Sequence, residues 1–265
     1  MNRKEYVKTG KCIWCGKRFP EVTFYHKPHI VPHNIGGNCI GVDICDECNS
    51  YFGTSTRTTP STNIVFKEVF QTISFFSKTL TPHSYKNYHS AYFRYDFSKN
   101  TLKLKLLLSL STFTQQFKRS LYEVFLQKYH SITGLGLDNK FNYVRSFARY
   151  SNVVADLKVY YVYNKIILAP EDDYADLPMT DILLKEIDDY GFFSFWFNGH
   201  HFLLEINPNK CALTRNVYLK EKTKQLLIPV DGTECIYEIT NIFQIDFLMN
   251  RFYKTNFNVN NKIRI

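Results

Sequence analysis

The sequence has no run of the roughly 18 to 20 consecutive apolar residues that a membrane-spanning helix needs. Its first residues, MNRKEYVKTGK, lack the apolar core of a secretory signal. It also has no internal repeat and no low-complexity segment. These absences argue against a membrane protein and a repeat array, and we expect a cytoplasmic protein with no membrane partner.

What is present indicates a globular protein. The chain has 265 residues, of which 45% are hydrophobic and 17% aromatic, which is enough for one large domain or two small ones. The formal net charge of +9 favours an acidic partner, either nucleic acid or an anionic surface. Many basic proteins bind neither specifically, so charge alone leaves the partner open.

The cysteines are seven in number, and four of them form two C-x-x-C pairs, Cys12 with Cys15 and Cys45 with Cys48. Two such pairs supply the tetrahedral four-sulfur shell of a structural zinc site, and Gly16 suits the turn after the first pair. A redox role would leave the second pair unexplained. We expect small buried hydrophobic residues at the other three positions, which are Cys39, Cys211 and Cys235.

A polar insert lies between the cysteine pairs. A zinc ion with four sulfur ligands has no open position, so any chemistry has to come from this insert. A neutral histidine can deprotonate water, and a hard metal on oxygen ligands can stabilise a leaving phosphate oxygen. The simpler alternative is a polar loop that happens to contain histidines. The residues concerned are His26, His29, His33, Asn34, Asn38, Asp43 and, just after the last cysteine, Asn49.

The order of short motifs in this region is more specific than any one of them. CIWC, HIVP, IGG and CDECN follow one another within residues 11–53. As an ordered set they resemble the HNH nucleases of the ββα-metal, or His-Me finger, superfamily. The resemblance implies a small, zinc-stapled, treble-clef-like module and a nuclease activity.

The resemblance also implies residue roles. His29 would be the general base that activates water, and Asn49 would bind a catalytic Mg²⁺ or Mn²⁺ ion. Gly36 and Gly37 would turn the chain into the second strand of the module. The zinc ion itself would be structural.

Two departures from the family pattern affect these roles. Pro28 stands where many members have an acidic metal ligand, so either Asn49 holds the ion with help from elsewhere, such as His26 or Asp43, or the site is inactive. The superfamily also includes homing nucleases that hold their metal through a single Asn and waters, so the resemblance still allows an active site. The asparagine that orients the base has its nearest match in Asn38. Asp43 is the alternative, because it could accept the ring N–H of His29.

Basic residues around the motif are candidates for phosphate contacts. We select Lys17, Arg18, Lys27 and His33 as nucleic-acid-binding residues, with DNA favoured over RNA. Scattered lysines that only solvate a surface, and an ordinary loop role for His33, are the alternatives. Other basic residues near the motif are Lys4, Lys8, Lys11 and Arg57.

The composition changes at TSTRTTPSTN, residues 54–63, which is typical of an exposed loop or linker. We therefore predict a nuclease module at 1–58 and a mixed α/β domain at 59–265 for regulation, recognition or oligomerisation, in an α+β protein overall. Periodicity predicts helices over 63–80, 113–131 and 139–150 and at the end near 242–253, and hairpins over 91–110 and 192–206. It also predicts strands in DLKVYYVYNKIIL, KQLLIPV and CIYEIT. We expect core aromatic residues and an exposed His200 and His201.

Two functions compete at this point. The first is a metal-dependent endonuclease of a bacterial defence type, gated by a protein partner or by homo-oligomerisation because ungated cleavage would harm the host. The second is a catalytically decayed zinc module, as Pro28 would permit, that binds nucleic acid or a protein.

Overall fold

The computed structural model describes residues 6–78, 82–105, 108–150, 157–163, 177–224 and 236–248. The helices are α1 Asp46–Gly53, α2 Thr62–Lys78, α3 Leu110–Thr133, α4 Asn142–Tyr150, α5 Asp181–Tyr190 and α6 Pro208–Lys224. The strands are β1 Phe93–Asp96, β2 Thr101–Leu104, β3 Val159–Val162, β4 Phe192–Phe197, β5 His200–Glu205 and β6 Ile236–Glu238. Short 3-10 helices lie at His33–Ile35, Pro82–Asn87, Asn139–Phe141 and Ile242–Gln244. This mixture confirms the α+β class.

The N-terminal module has the ββα order in a short form. Its two extended segments meet at one antiparallel bridge between His29 and Ile40. Ile30 donates its N–H to the carbonyl of Cys39 at 3.0 Å, and Gly41 donates to Pro28 at 2.7 Å. The chain then enters α1, so the segment that carries His29 and the helix that carries Asn49 belong to one compact unit.

Helix α3 is the long central helix of the body, and it confirms the helix predicted over 113–131. It begins after Ser109, whose hydroxyl accepts from the N–H of Thr112, and it ends at Gly134 in the left-handed region at φ 75°. Most of its side chains are buried, charged ones included, because α2, α4, the sheet and the module pack against it. The charged groups on this helix therefore need partners inside the fold.

The larger sheet is antiparallel in the order β4-β5-β3-β6. Asn198 and Gly199 both have positive φ, as the predicted tight turn between β4 and β5 requires. The prediction of exposed histidines after this turn is wrong, since His200 and His201 are 0% and 2% exposed. His200 Nδ1 lies 2.8 Å from the hydroxyl of Tyr161, and the His201 ring stacks on Trp196 at 3.7 Å. Both histidine rings are buried because they pack against these aromatic neighbours.

Most other element predictions agree with the structure. Helices α2 and α4 and the β1–β2 hairpin lie where periodicity places them, and β3 and β6 confirm parts of two predicted strands. The end helix is replaced by the 3-10 turn Ile242–Gln244 in its described part. The segments 164–168 and 225–230 and the residues after 248 lie outside the described residues.

A single hydrophobic cluster includes residues of the module and of the body, from Cys12 to Phe247. The division at residue 58 therefore stays a prediction about organisation, because the two described parts share a core. Among the described residues, the helices are all too short or too polar to cross a lipid bilayer.

Candidate metal centre and nuclease site

The two cysteine pairs converge. Ligand atoms of Cys12, Cys15, Cys45 and Cys48 all lie within 4.8 Å of one another, and no disulfide joins these four residues. The sulfurs of Cys15 and Cys45 are 3.8 Å apart. Zinc–sulfur bonds of about 2.3 Å in a tetrahedron place sulfurs about 3.8 Å apart. The four residues therefore fit a structural zinc ion.

Backbone groups hold these sulfurs in place. Gly16 adopts φ 72° and donates its N–H to the carbonyl of Cys12 at 2.9 Å, which closes the first turn as predicted. The N–H of Cys45 points at Cys12 Sγ (3.4 Å), and that of Cys48 points at Cys45 Sγ (3.5 Å). Helix α1 begins at Asp46, and the Cys45 side chain caps it by accepting the N–H of Cys48.

The body also contacts this cluster, which sequence reasoning missed. Arg149 on α4 donates Nε to Cys48 Sγ at 3.4 Å, and its guanidinium lies 3.8 Å from the centre of the Tyr51 ring. A weak ion pair joins the same arginine to Glu47 at 3.6 Å. Residues so distant in sequence give no local signal, so only the fold reveals that α4 covers the sulfurs.

His29 lies on the solvent-facing side of its extended segment. Its neighbours Pro28 and Ile30 are buried, whereas His29 is exposed. Adjacent residues of an extended segment point to opposite faces, so the Pro28 position does not share the face of His29. The ring of His33 lies 5.8 Å from that of His29, edge to face. The two histidines thus form an exposed imidazole pair.

The loop after His33 requires its glycines. Gly36 ends the short 3-10 helix in the left-handed region at φ 91°. A Cβ on Gly37 would lie 2.0 Å from the carbonyl oxygen of Val31, which no side chain tolerates. The predicted glycine turn is therefore confirmed, and it returns the chain to the bridge with His29.

Asn49 lies on α1, one turn after Asp46, and it is half-buried. The Asp46 carboxylate accepts the N–H groups of Tyr25 at 3.0 Å and His26 at 2.9 Å, and also the hydroxyl of Thr23. Residues three apart on a helix share a face. Asn49 therefore lies on the side of α1 that holds the segment leading to His29.

Asp46 itself was not selected from the sequence, although its position right after a helix-capping cysteine was a signal. Burial by itself raises its pKa, but the hydrogen bonds from Thr23 and from the backbone of residues 25 and 26 outweigh this effect. They lower the pKa of Asp46 to about 2. Asp46 thus stays ionised and fixes the His29 segment on α1, while His26 Nδ1 is tied to it at 2.9 Å.

The expectation that Asp43 accepts a ring N–H of His29 is not met. The Asp43 carboxylate is completely buried and accepts from the N–H groups of Lys8, Thr9 and Gly10. It also lies 2.9 Å from His130 Nε2 on α3. Burial opposes ionisation, yet the bonds from His130 and Thr9 lower the pKa of Asp43 to about 2. Asp43 therefore joins the module to the body instead of orienting the base.

The remaining selected residues lie on the surface. Asn38 is exposed in the loop between the glycine turn and the bridge, and its role stays a prediction. Lys17, Arg18, Lys27 and His33 are all exposed, as phosphate contacts require. Lys27 Nζ lies 5.0 Å from the Tyr6 ring centre. Cys39, expected to be buried, is exposed, while Cys211 is buried and Cys235 lies outside the described residues.

Comparison with known proteins identifies the type of module. Residues 12–63 match a family model described as HNH endonuclease, from the first cysteine through α1 to the start of α2. No curated protein and no solved structure gives a match. The N-terminal segment is thus of the HNH endonuclease type, and the match supports a nuclease-type function.

Proposed function

We propose that the protein is a metal-dependent endonuclease that hydrolyses phosphodiester bonds in DNA, with RNA as the alternative substrate. The observation that carries this proposal is the exposed His29 on an antiparallel bridge, followed by α1 with Asn49, inside an HNH-type segment held by four convergent cysteines. The exposure of His29 suits a group that has to reach a phosphate on a large substrate.

In the proposed reaction, His29 takes a proton from the attacking water. The ring of His33 lies edge to face with that of His29, 5.8 Å away between ring centres, and an Asn38 contact would orient the base. Neither imidazole is hydrogen-bonded to a carboxylate within the part of the chain that the structure describes.

The Asn49 amide oxygen suits a hard divalent ion, Mg²⁺ or Mn²⁺. Such an ion, when bound, supplies electrostatic stabilisation to the phosphate and the departing oxygen. Within the described residues, the four cysteines form the single cluster of three or more histidine, cysteine or acidic groups with metal-binding geometry. Asn49, at the position that binds the catalytic ion in HNH nucleases, is the protein ligand we propose, with water completing the shell.

A decayed module remains the second candidate, and specific observations favour it. Pro28 is buried and offers no ligand, Asp43 is committed to His130, and His26 is tied to Asp46. None of the residues considered as additional ligands is therefore available to bind the ion. In this case the exposed basic face binds nucleic acid or a protein without cutting.

The test is cleavage of supercoiled plasmid and single-stranded DNA with added Mg²⁺ or Mn²⁺, on chain loaded with one zinc ion. We expect His29→Ala and Asn49→Ala to lower the rate by roughly 10²- to 10⁴-fold. His89→Ala, an exposed histidine of the body, and Asn34→Ala are the matched controls. Equal rates in all five proteins would reject the nuclease site, and binding without cutting would favour the decayed module.

We also propose a defence-type role in which a protein partner or self-association gates cleavage. The argument is chemical, since an ungated nuclease would damage the DNA of its own cell. Specific activity measured against protein concentration, together with the mass in solution, tests the self-association form. A rate per chain that does not change while the mass doubles would contradict it.

A further inference from the structure

A cleft lies on α1, away from Asn49. Its volume is about 600 Å³, which falls in the range of small-molecule sites. Helix α1 contributes Glu47, Ser50, Tyr51 and the following Thr54, whose spacing places them on one helix face. Asn49 lies well around the helix from this face. The other walls are the loop 54–61, the start of α2, and the arginines of α3 and α4.

One residue that lines the cleft, Arg119, carries a buried positive charge. Arg119 is only 5% exposed, and its guanidinium donates to neutral acceptors, namely the carbonyl of Ala148, the Gln116 Oε1 and the Tyr51 hydroxyl. A buried charge is costly unless a counter-charge balances it. Among the described residues, no carboxylate forms an ion pair with Arg119.

The nearest acid on the same helix does not supply that counter-charge at neutral pH. Glu123 lies one turn further along α3, and burial raises its pKa to about 8 despite the hydrogen bond from Thr62 and the attraction of Arg119. Below that pH the carboxyl is mostly protonated. The positive charge of Arg119 thus faces the cleft without a balancing anion.

The walls present more donors. Arg149 lies against the Tyr51 ring at 3.8 Å, and its acidic neighbour Glu47 is largely exposed at the rim. Within the described chain, the hydroxyls of Ser50, Thr54 and Thr59 have no protein hydrogen-bond partner, so they are available to a ligand. Six serine and threonine side chains line the cleft, those of Ser50, Thr54, Thr56, Thr59, Ser61 and Thr62.

We propose that this cleft binds the phosphate group of a small molecule of nucleotide size. Guanidinium groups and hydroxyls are the usual donors to phosphate oxygens, and an aromatic wall suits a base or sugar. A bound phosphate would neutralise Arg119 and would contact α1, α3 and α4 together. The ligand therefore binds to both the nuclease module and the body, at a place separate from His29.

The test measures binding to the full-length, zinc-loaded chain by calorimetry, and so it does not depend on cleavage. The probes are inorganic phosphate, AMP, GMP and a short single-stranded oligonucleotide. Ser50→Glu adds a negative charge and bulk to the cleft without removing a protein hydrogen bond, and Ser50→Ala is its matched control. Thr54→Glu, one turn further on, is a second blocking variant should the first fail to fold.

We expect at least one mononucleotide to bind saturably, with affinity at least about tenfold weaker in Ser50→Glu and within about twofold in Ser50→Ala. Phosphate binding as tight as that of AMP and GMP, and equally sensitive to Ser50→Glu, would support the anion site and assign it to free phosphate. The absence of binding by every probe would overturn the proposal. So would binding that both glutamate variants leave unchanged, or binding by the oligonucleotide alone.

Discussion

Two histidine–aspartate pairs of the same length mark two different regions of the module. His26 Nδ1 and Asp46 lie 2.9 Å apart on the outer face, where the histidine side chain is 73% exposed. His130 Nε2 and Asp43 also lie 2.9 Å apart, but on the inner face against α3, where both side chains are fully buried. The same chemical contact thus occurs once in water and once in the core.

The inner and outer faces of the module therefore differ in what they contact. On the inner face, Asp43, Cys48 and Tyr51 each have a partner on α3 or α4, so the body fixes this side. On the outer face, His29 and His33 are exposed and have each other as ring neighbours. A buried inner face with an accessible outer one agrees with the proposed site for a large polymeric substrate.

The largest expected effect comes from the cysteine cluster of the inner face. Cys48→Ser should remove the zinc ion and lower the free energy of unfolding by at least about 5 kcal/mol, because zinc binding and folding of such sites are coupled. Zinc content and denaturant unfolding measure both changes. Cys39→Ser, at an exposed cysteine outside the cluster, is the control and should keep one zinc per chain. Zinc retention by Cys48→Ser would remove that ligand from the assignment.

The next-largest expected effect concerns Glu123 on α3, whose carboxyl contacts Thr62 at the start of α2. The hydroxyl of Thr62 faces two acceptors, the carbonyl of Phe52 at 3.3 Å and Glu123 Oε2 at 2.7 Å, but it has only one proton. A protonated Glu123 resolves this conflict by donating to Thr62. The structure therefore favours the neutral carboxyl, in agreement with a pKa that burial raises to about 8.

The sign of the pH dependence follows from this raised pKa. An unfolded glutamate ionises near pH 4.5, so stability from this group is complete below that pH and declines as the pH rises toward 8. Between pH 6 and 8.5 the parent should lose roughly 2–3 kcal/mol relative to Glu123→Gln. Unfolding of both proteins across this range, with zinc present, is the measurement. Parallel curves would show that Glu123 is already ionised at pH 6.

The two histidine–aspartate pairs can be compared directly. His130→Ala leaves the N–H of Gly136 without its ring acceptor and takes one donor from a buried carboxylate. We expect it to lower the free energy of unfolding by about 2 kcal/mol. His26→Ala breaks a contact of equal length in solvent and should change stability by less than about 0.5 kcal/mol. Equal losses would mean that burial does not separate the two regions.

Sequence patterns predicted the fold wherever a local rule decides it. The periodicity of α2 and α3 and the Asn198–Gly199 turn sufficed, because spacing and positive φ are local properties. Sequence patterns failed at His200 and His201, because two polar rings after a turn are expected to be exposed. Tyr161 and Trp196, which lie beside these rings, are not evident from the local sequence. Tertiary contacts decided these cases, and no local pattern contains them.

The candidate site shows the same limit. The spacing of the cysteines was sufficient to predict a four-sulfur cluster, because the ligands lie in two short turns. Asp43 contacts His130 instead of orienting His29, and local patterns do not predict this contact because His130 is on a helix far along the chain. No local pattern predicts the contacts of Arg149 and Arg119 with α1 either. Sequence therefore predicts the ligands of the module better than it predicts what the body contributes.

The smallest expected effect tests one exposed basic residue of the module as a contact to nucleic acid. Lys17 is exposed beside the first cysteine turn, and a phosphate contact there would add to affinity without selecting a sequence. In a His29→Ala background, Lys17→Ala should weaken DNA binding a few-fold and lower the slope of log affinity against log salt by about 0.9. Lys99→Ala, an exposed lysine in the β1–β2 turn of the body, should leave the slope unchanged. A slope that falls equally in both variants would indicate general charge attraction, whereas a fall confined to Lys17 would place the DNA backbone against the module.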